Sequence, residues 1–513
     1  MATALVQLTD QQQAIVNHNK GPALVFAVAG AGKTTAMVQR IERLVRERLF
    51  APDHILATSF NKVANDEIQR ALRRWPHCAS VNVKTLHALG FQIIRQANKL
   101  GYLPHYQPDK IKENVEGLDR QLLYKALARV REQRVRYAGE LNNLDHDDFL
   151  NYVGTCKGNL HYANLAQVDL PVQARKIAKE ASAPKGLAWY RDLYRLYEET
   201  RQAQGLITFD DMLMTGWEIL VKHADLLAML RRQYECVLVD EFQDINLAQA
   251  EILDLITYPQ RHYMAIGDDD QTIYEWRGAT PQFILNFEKR YTAQVYWMTD
   301  NFRCKAAHVA LANRVIQHNK MRRPKQMHLT QGFDGDAQLH AVASLEQMGQ
   351  EIVREIGGAL RQGYQPTDAA ILVRIYAQTP PIEQFLLAER IPYTVVGSEP
   401  FYQRPEVVTL LDYCYLGKIE ATLQSGTSLT AEQGQRFQRA WFSVYNRPTR
   451  YLSKALADQV AHLAITTRTP LGRALINVSK GAPERVAELM RKLAGDIQWL
   501  AGLLASKLSL IHI

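Results

Sequence analysis

The sequence is short of cysteine and lacks any C-x-x-C pair. Its five cysteines, Cys78, Cys156, Cys236, Cys304 and Cys414, are dispersed with no histidine at ligand spacing, which excludes a zinc knuckle and a disulfide framework. An odd, scattered set suits a reducing compartment. No stretch approaches the roughly eighteen uninterrupted apolar residues of a membrane span, and Met1 to Asp10 lacks a basic patch followed by an apolar stretch. The expected location is therefore cytoplasmic, with no membrane partner. No internal repeat or low-complexity linker is found, and neither sign of charge dominates: Lys and Arg number 61 against 53 Asp and Glu, a net charge of +8. That balance permits a polyanionic partner without requiring one. With 47% hydrophobic and 22% charged residues over 513 positions, the chain has a globular composition and a length that calls for about two to four domains.

What is present is a pair of distant segments that make sense together. Ala23-Leu24-Val25-Phe26 is an apolar run leading into Ala27-Val28-Ala29-Gly30-Ala31-Gly32-Lys33-Thr34-Thr35. It reads as a buried parallel strand, a loop of small residues and a helix beginning near Lys33. Backbone N–H groups at such a loop and helix start point at phosphate oxygens, and bulky side chains would block the approach. Lys33 supplies a point charge for the β- and γ-phosphates, and the Thr34 hydroxyl is placed for Mg²⁺. Val237-Leu238-Val239 leads into Asp240-Glu241, where Asp240 would hold the same ion and Glu241 would orient or deprotonate an attacking water. Ala27 departs from the glycine that the general phosphate-loop pattern prefers.

Along the chain, short apolar runs alternate with helical patterns from Leu8 to about Leu103, the rhythm of a doubly wound parallel sheet. From Pro104 to Ala188 the strand signal disappears and a helical insertion is predicted. The sheet pattern resumes through Cys236 to Val239 and Tyr263 to Ile266. A second α/β pattern covers about Ala293 to Leu416, with strands predicted at Gln294 to Met298, Ala369 to Val373 and Tyr393 to Val396. Beyond Gly417 the pattern is helical.

Further motifs follow predicted strands, at the carboxyl edge where open α/β sheets bind ligands. Thr58-Ser59-Phe60-Asn61-Lys62 offers an aromatic and a cation, and Thr85-Leu86-His87-Ala88 follows the next strand. In Leu8 to Ala14, a side-chain amide can read both the acceptor and the donor of an adenine edge. The densest stretch is Gly267-Asp268-Asp269-Asp270-Gln271-Thr272-Ile273-Tyr274-Glu275-Trp276-Arg277-Gly278-Ala279. There Gln271 can sense a γ-phosphate, while Tyr274, Trp276 and Arg277 offer stacking faces and a charge to single-stranded bases, each stacked base contributing about 1–3 kcal/mol.

Phosphate loop, D-E-F-Q-D at Asp240 to Asp244, and G-D-D-D-Q-x-I-Y-x-W-R-G-A at Gly267 to Ala279 occur in that order, and the chain resembles a superfamily 1A DNA helicase of the UvrD, Rep and PcrA type. The resemblance extends from Leu8 to about Leu416. It includes a Q motif over Leu8 to Ala14, two DNA-contact motifs at Thr58 to Ala64 and Thr85 to Leu89, a short acidic motif at Thr208-Phe209-Asp210-Asp211, and motif IV at Asn301-Phe302-Arg303. In that family an Ala begins the phosphate loop, which accounts for Ala27. The resemblance implies an α/β P-loop NTPase with two RecA-like cores: 1–104 with 190–285 as the first, 105–189 as its helical insertion, 286–416 as the first part of the second, and 417–513 as the start of another helical insertion. It implies that Ala27, Gly30, Ala31, Gly32, Lys33, Thr34 and Thr35 cradle ATP, that Gln12 contacts adenine, that Phe302 stacks on it, and that Arg303 is an arginine finger. Thr34 and Asp240 would bind Mg²⁺; Lys33, Glu241, Gln271 and Arg303 would act in hydrolysis. Phe60, Asn61, His87, Tyr274, Trp276 and Arg277 would line the path of single-stranded DNA.

Two of the family's elements have no counterpart: no T-x-H-x-x-K-G-L-E segment occurs, nor a later motif with a second arginine finger. The expectation is thus an N-terminal portion of a longer protein, with a second core left incomplete and feeble DNA-stimulated ATPase on its own. The activity implied for the whole is ATP-driven 3′ to 5′ translocation on single strands and unwinding at single-strand/double-strand junctions, in DNA repair or replication restart. The alternatives are the motor half of an AddA- or RecB-like helicase-nuclease, and a non-catalytic nucleic-acid-binding module. Retention of Lys33, Thr34, Asp240, Glu241, Gln271 and Arg303 argues against the latter, since binding alone needs no water-positioning carboxylate.

Overall fold

The computed structural model describes residues 7–59, 61–103, 117–132 and 139–506, and its chain divides into two compact units, 1–338 and 339–513. Phe60 lies outside the described residues.

The first unit is built on a six-stranded sheet ordered Asn82–Val83, Ile55–Thr58, Cys236–Val239, His262–Gly267, Ala23–Ala27, Gln294–Met298. Every neighbouring pair is parallel. Helices cover both faces, so the central strands are apolar on both sides and read as continuous hydrophobic runs. Successive side chains of one strand still enter different cores. Leu24 and Phe26 join Leu56, Val237 and Val239 on one face, while Ala23, Val25 and Ala27 join Ile55, Ala57, Cys236 and Leu238 on the other.

Gln294–Met298 was expected to open the second core. It instead pairs residue for residue with Ala23–Ala27 and forms an edge of the first sheet. The physical reason is that the phosphate-loop strand has two hydrogen-bonding edges; His262–Gly267 occupies one and Gln294–Met298 completes the other. Because all strands run the same way, the turns after Val239, Gly267, Ala27 and Met298 emerge side by side at one carboxyl edge.

The described part of the insertion is helical. Leu118–Glu132, His146–Gly158 and Trp189–Ala203 surround Leu122, Phe149, Tyr194 and Tyr197. The structure adds one feature not predicted there, a two-residue parallel pairing of His161–Tyr162 with Lys179–Glu180.

The second unit corrects two further expectations. Ala369 to Val373 and Tyr393 to Val396 form no strands. Both segments are apolar, but a strand exists only when a neighbour supplies the other half of its hydrogen-bond ladder, and none does so among the described residues. They instead line a cavity of about 880 Å³ together with Ile382 and Leu386. The rest of this unit is helical as expected, with five helices over Pro405–Gln424, Ala431–Val444, Lys454–Thr466, Leu471–Ser479 and Glu484–Ser506 enclosing Leu416, Trp441, Leu475 and Leu493. No described helix is long and apolar enough to cross a membrane.

Candidate nucleotide and nucleic-acid site

The phosphate loop leaves its strand at Ala27, which is fully buried. Its backbone is not among the positive-φ residues, so an alanine fits there without strain and its methyl group adds to the core. Gly30 (φ +70°) and Gly32 (φ +80°) are different. A Cβ on Gly30 would lie 2.8 Å from the Arg303 Cβ, and one on Gly32 would lie 2.8 Å from Gln12 Nε2. The loop therefore needs glycine twice, for conformation and for close approach. Ala31 is buried between them. Gly32 caps the helix Lys33–Arg46, so Lys33, Thr34 and Thr35 occupy its first turn, where unpaired N–H groups and the helix dipole favour anions.

Gln12 sits against this loop. Its Nε2 donates to the Ala31 carbonyl at 3.1 Å and its Oε1 accepts from the Thr9 N–H at 3.2 Å, closing a capping box on Asp10–Val16. Its neighbour Gln11 is paired with Thr299 through both amide atoms. On the other flank, Asn301 Nδ2 donates to the Ala29 carbonyl at 2.7 Å, and the Phe302 N–H donates to the Gly30 carbonyl at 3.0 Å. Phe302 and Arg303 are thereby held beside the loop with their side chains exposed.

Two strands along the same sheet edge, Lys33 Nζ lies 2.8 Å from Glu241 Oε2. Glu241 has a left-handed backbone (φ 52°), a strained state for a non-glycine residue that clusters at functional sites. Asp240 is buried and accepts a hydrogen bond from the Glu241 N–H, with the Thr34 side chain nearby. Burial, then the neighbouring Glu241 charge, push its carboxyl up to about 6, opposed by Lys33. Asp244 is pushed up to about 7 for the same two reasons. Thr34 and Asp240 together offer hard oxygen donors, the ligand type that Mg²⁺ takes.

Several functional residues escaped the sequence reading. Gln243 is buried and donates from Nε2 to Glu241 Oε2 at 2.9 Å, while its Oε1 accepts the Asp268 N–H at 3.0 Å. Gln271 Nε2 donates to Asp268 Oδ2 at 2.7 Å, so the predicted γ-phosphate sensor is here tied to its own turn. Asp268, Asp269 and Asp270 could be mistaken for a metal cluster. The Lys325 ammonium fills it, at 3.0, 2.5 and 2.7 Å from the three carboxylates, and Arg322 also pairs with Asp270. No local pattern announces Lys325, because its partners lie far away in sequence and only the fold brings them together.

The predicted strand-path residues divide into two groups. Trp276 is 53% exposed, with the Arg277 guanidinium 4.7 Å from its ring centroid and the Tyr274 ring 6.5 Å away. The Trp276 carbonyl accepts from the Thr155 hydroxyl on the insertion. His87 stacks on Phe209 at 3.9 Å and 15°, joining the acidic motif to this surface. Burial, reinforced by Arg277, pushes the imidazole down to about 3, so it is neutral. Asn61 spends its side-chain oxygen on the N-terminus of Lys62–Leu72, accepting from the Ala64 N–H at 2.8 Å.

Two family models match the chain: the UvrD/REP helicase N-terminal domain over residues 8–292 and the UvrD-like helicase C-terminal domain over residues 296–423. The chain is 26% identical to DNA helicase II of Rickettsia typhi over 469 residues, covering 89% of this chain and 65% of that protein. It is 27% identical over 415 residues to the ATP-dependent DNA helicase PcrA of Staphylococcus epidermidis, and 28% over 418 residues to that of Staphylococcus aureus. Each of the PcrA matches covers 80% of this chain and 54% of the relative. The chain thus spans between about half and two thirds of the length of these relatives. With the N-terminal model alone matching more than half of it, and a phosphate loop, acidic strand end and aromatic segment converging on one sheet edge, the chain belongs to the UvrD/REP helicase family.

Proposed function

We propose that this chain carries the ATP-binding and single-strand-binding core of an ATP-dependent DNA helicase that translocates 3′ to 5′ and opens single-strand/double-strand junctions during repair or replication restart in the cytoplasm. The observation that carries this reading is the unbroken path from Lys33 through Glu241, Gln243 and Asp268 to Gln271, which ends on the segment bearing Tyr274, Trp276 and Arg277. In the proposed division of the chain, 105–189 and 417–513 are helical insertions, and the first core, formed from 1–104 with 190–285, also takes in the strand Gln294–Met298.

In this mechanism the amides of Gly30 to Thr34 receive the triphosphate, and Lys33 exchanges Glu241 for phosphate oxygens. Released from the ammonium, Glu241 Oε2 is free to accept a proton from the attacking water. Thr34 and Asp240 would hold Mg²⁺, which when bound offsets phosphate charge. Arg303, exposed beside Gly30, reaches toward the transferring phosphoryl group; an arginine in that role contributes roughly 10³ to 10⁵ in rate. Phe302 covers the base beside Gln12. At the other end, Trp276 and Tyr274 stack on bases while Arg277 meets phosphate, so affinity falls steeply with salt as counterions are displaced.

Titration of a fluorescent ATP analogue and of labelled oligo-dT into the chain tests this reading. Lys33→Ala is expected to abolish nucleotide binding. Glu241→Gln is expected to retain it while removing whatever turnover the parent chain shows. Nucleotide affinity undiminished in Lys33→Ala, or oligo-dT affinity insensitive to salt, overturns the proposal.

A further inference from the structure

Gln243 is buried, and its amide bonds both to Glu241, the partner of Lys33, and to Asp268, at the start of the segment that bears Trp276. We infer that Gln243 is a positioning residue through which the state of the nucleotide site reaches the single-strand segment, an inference that rests on the function proposed above.

The geometry is specific. Glu241 Oε2 is shared between Lys33 Nζ at 2.8 Å and Gln243 Nε2 at 2.9 Å, so one oxygen senses both. The same Nε2 reaches Asp244 Oδ2 at 3.3 Å. The opposite end of the amide, Oε1, receives the Asp268 N–H. Room for this exists only because residue 267 is glycine: a Cβ there would lie 2.5 Å from Gln243 Oε1. One amide therefore joins Glu241 to the backbone at which the segment 268–277 begins.

The receiving turn is stiff. Lys325 binds all three of its aspartates, Arg322 grips Asp270, and the Arg323 N–H donates to Asp269 Oδ2. A displacement at Asp268 is consequently passed on to Gln271 and beyond instead of being absorbed within the turn. Water is not available to replace a broken bond at buried Gln243, so loss of the Glu241 contact leaves a buried donor unpaired and favours a compensating shift. When Lys33 turns to phosphate, Glu241 Oε2 loses its charged partner and the Gln243 bond becomes its remaining tie to the protein. The amide thus experiences the arrival of nucleotide directly. By thermodynamic reciprocity, a strand bound at Trp276 affects nucleotide by the same factor.

The test uses the full chain, labelled oligo-dT and magnesium–AMPPNP. In the parent chain AMPPNP is expected to change oligo-dT affinity by about fivefold or more. In Gln243→Met, which keeps bulk without hydrogen bonds, and in Gln243→Leu, which likewise removes both bonds, the ratio is expected to fall to near unity, with each ligand alone still bound. A second readout is the ¹⁹F resonance of 5-fluorotryptophan at position 276, identified by its loss in Trp276→Phe. It should move on AMPPNP addition in the parent and stay in place in both Gln243 variants. A ratio and a resonance shift that survive in either folded variant overturn the relay alone. A parent chain whose oligo-dT affinity ignores AMPPNP overturns the proposed function and the relay with it.

Discussion

The nucleotide cleft and the aromatic surface lie on neighbouring loops of one sheet, yet they are built on opposite principles. In the cleft the polar groups are largely enclosed and bonded to each other: Lys33 to Glu241, and Gln243 to Glu241 and Asp268. On the aromatic surface Trp276 and Phe209 stand 53% and 44% exposed, awaiting contacts that the protein does not itself provide. Binding in the cleft is therefore an exchange, in which a ligand must replace protein partners already in place and rearrangement is unavoidable. Binding at the aromatic surface is an addition, in which apolar faces lose water and little else changes. The proposed function calls for both: a site that must rearrange to be occupied, and a grip tolerant of any base.

Three substitutions would break or sharpen this contrast. The largest effect is expected from Lys325→Met, which leaves the carboxylates of Asp268 and Asp269 buried without their cation. Removing one partner of a buried charge cluster costs about 3–5 kcal/mol, so a urea midpoint should drop accordingly; a loss below about 1 kcal/mol would show that the aspartate turn does not depend on the ammonium. Next is Trp276→Ala, expected to weaken oligo-dT binding by about 1–3 kcal/mol while leaving nucleotide affinity unchanged. Equal losses for both ligands would erase the distinction between exchange and addition.

The last substitution concerns Asp244, whose carboxyl is raised to about 7 by burial and by Glu241. Its ordinary value is near 3.8, so between these limits the folded chain holds a proton that the unfolded chain releases, and this group lowers stability as pH rises. The penalty is absent below about pH 4 and complete above about pH 7. Asp244→Asn should accordingly be more stable than the parent at pH 8, with the gain gone at pH 4. Denaturation midpoints at the two pH values check this; a gain of equal size at both would place its origin elsewhere.

Legibility in the sequence followed the range of the interactions. The phosphate loop was readable because an apolar strand, small residues with room for only glycine at 30 and 32, and a helix start are consecutive in the chain. Asp240 and Glu241 were readable because they end an equally apolar run. Periodicity marks Gln294 to Met298 as a strand but not its sheet, since it reports extended backbone and not which edge it joins. Ala369 to Val373 and Tyr393 to Val396 carry the same apolar signal and form no strand, because pairing depends on a neighbour. Gln243 stood in plain view within D-E-F-Q-D, but nothing local distinguishes an amide that bridges two loops from one facing solvent.

The order and chemistry of the motifs were set by the sequence alone: which residues are small, which are charged, and which apolar runs precede them are properties of adjacent positions. Their convergence was decided by the tertiary structure. Parallel pairing delivers the strand ends to one edge, and the fold packs Lys325 among three aspartates and brings Asp268 to Gln243. Such contacts join residues separated by long stretches of chain, and their distances are fixed by sheet order and burial, which no local pattern encodes.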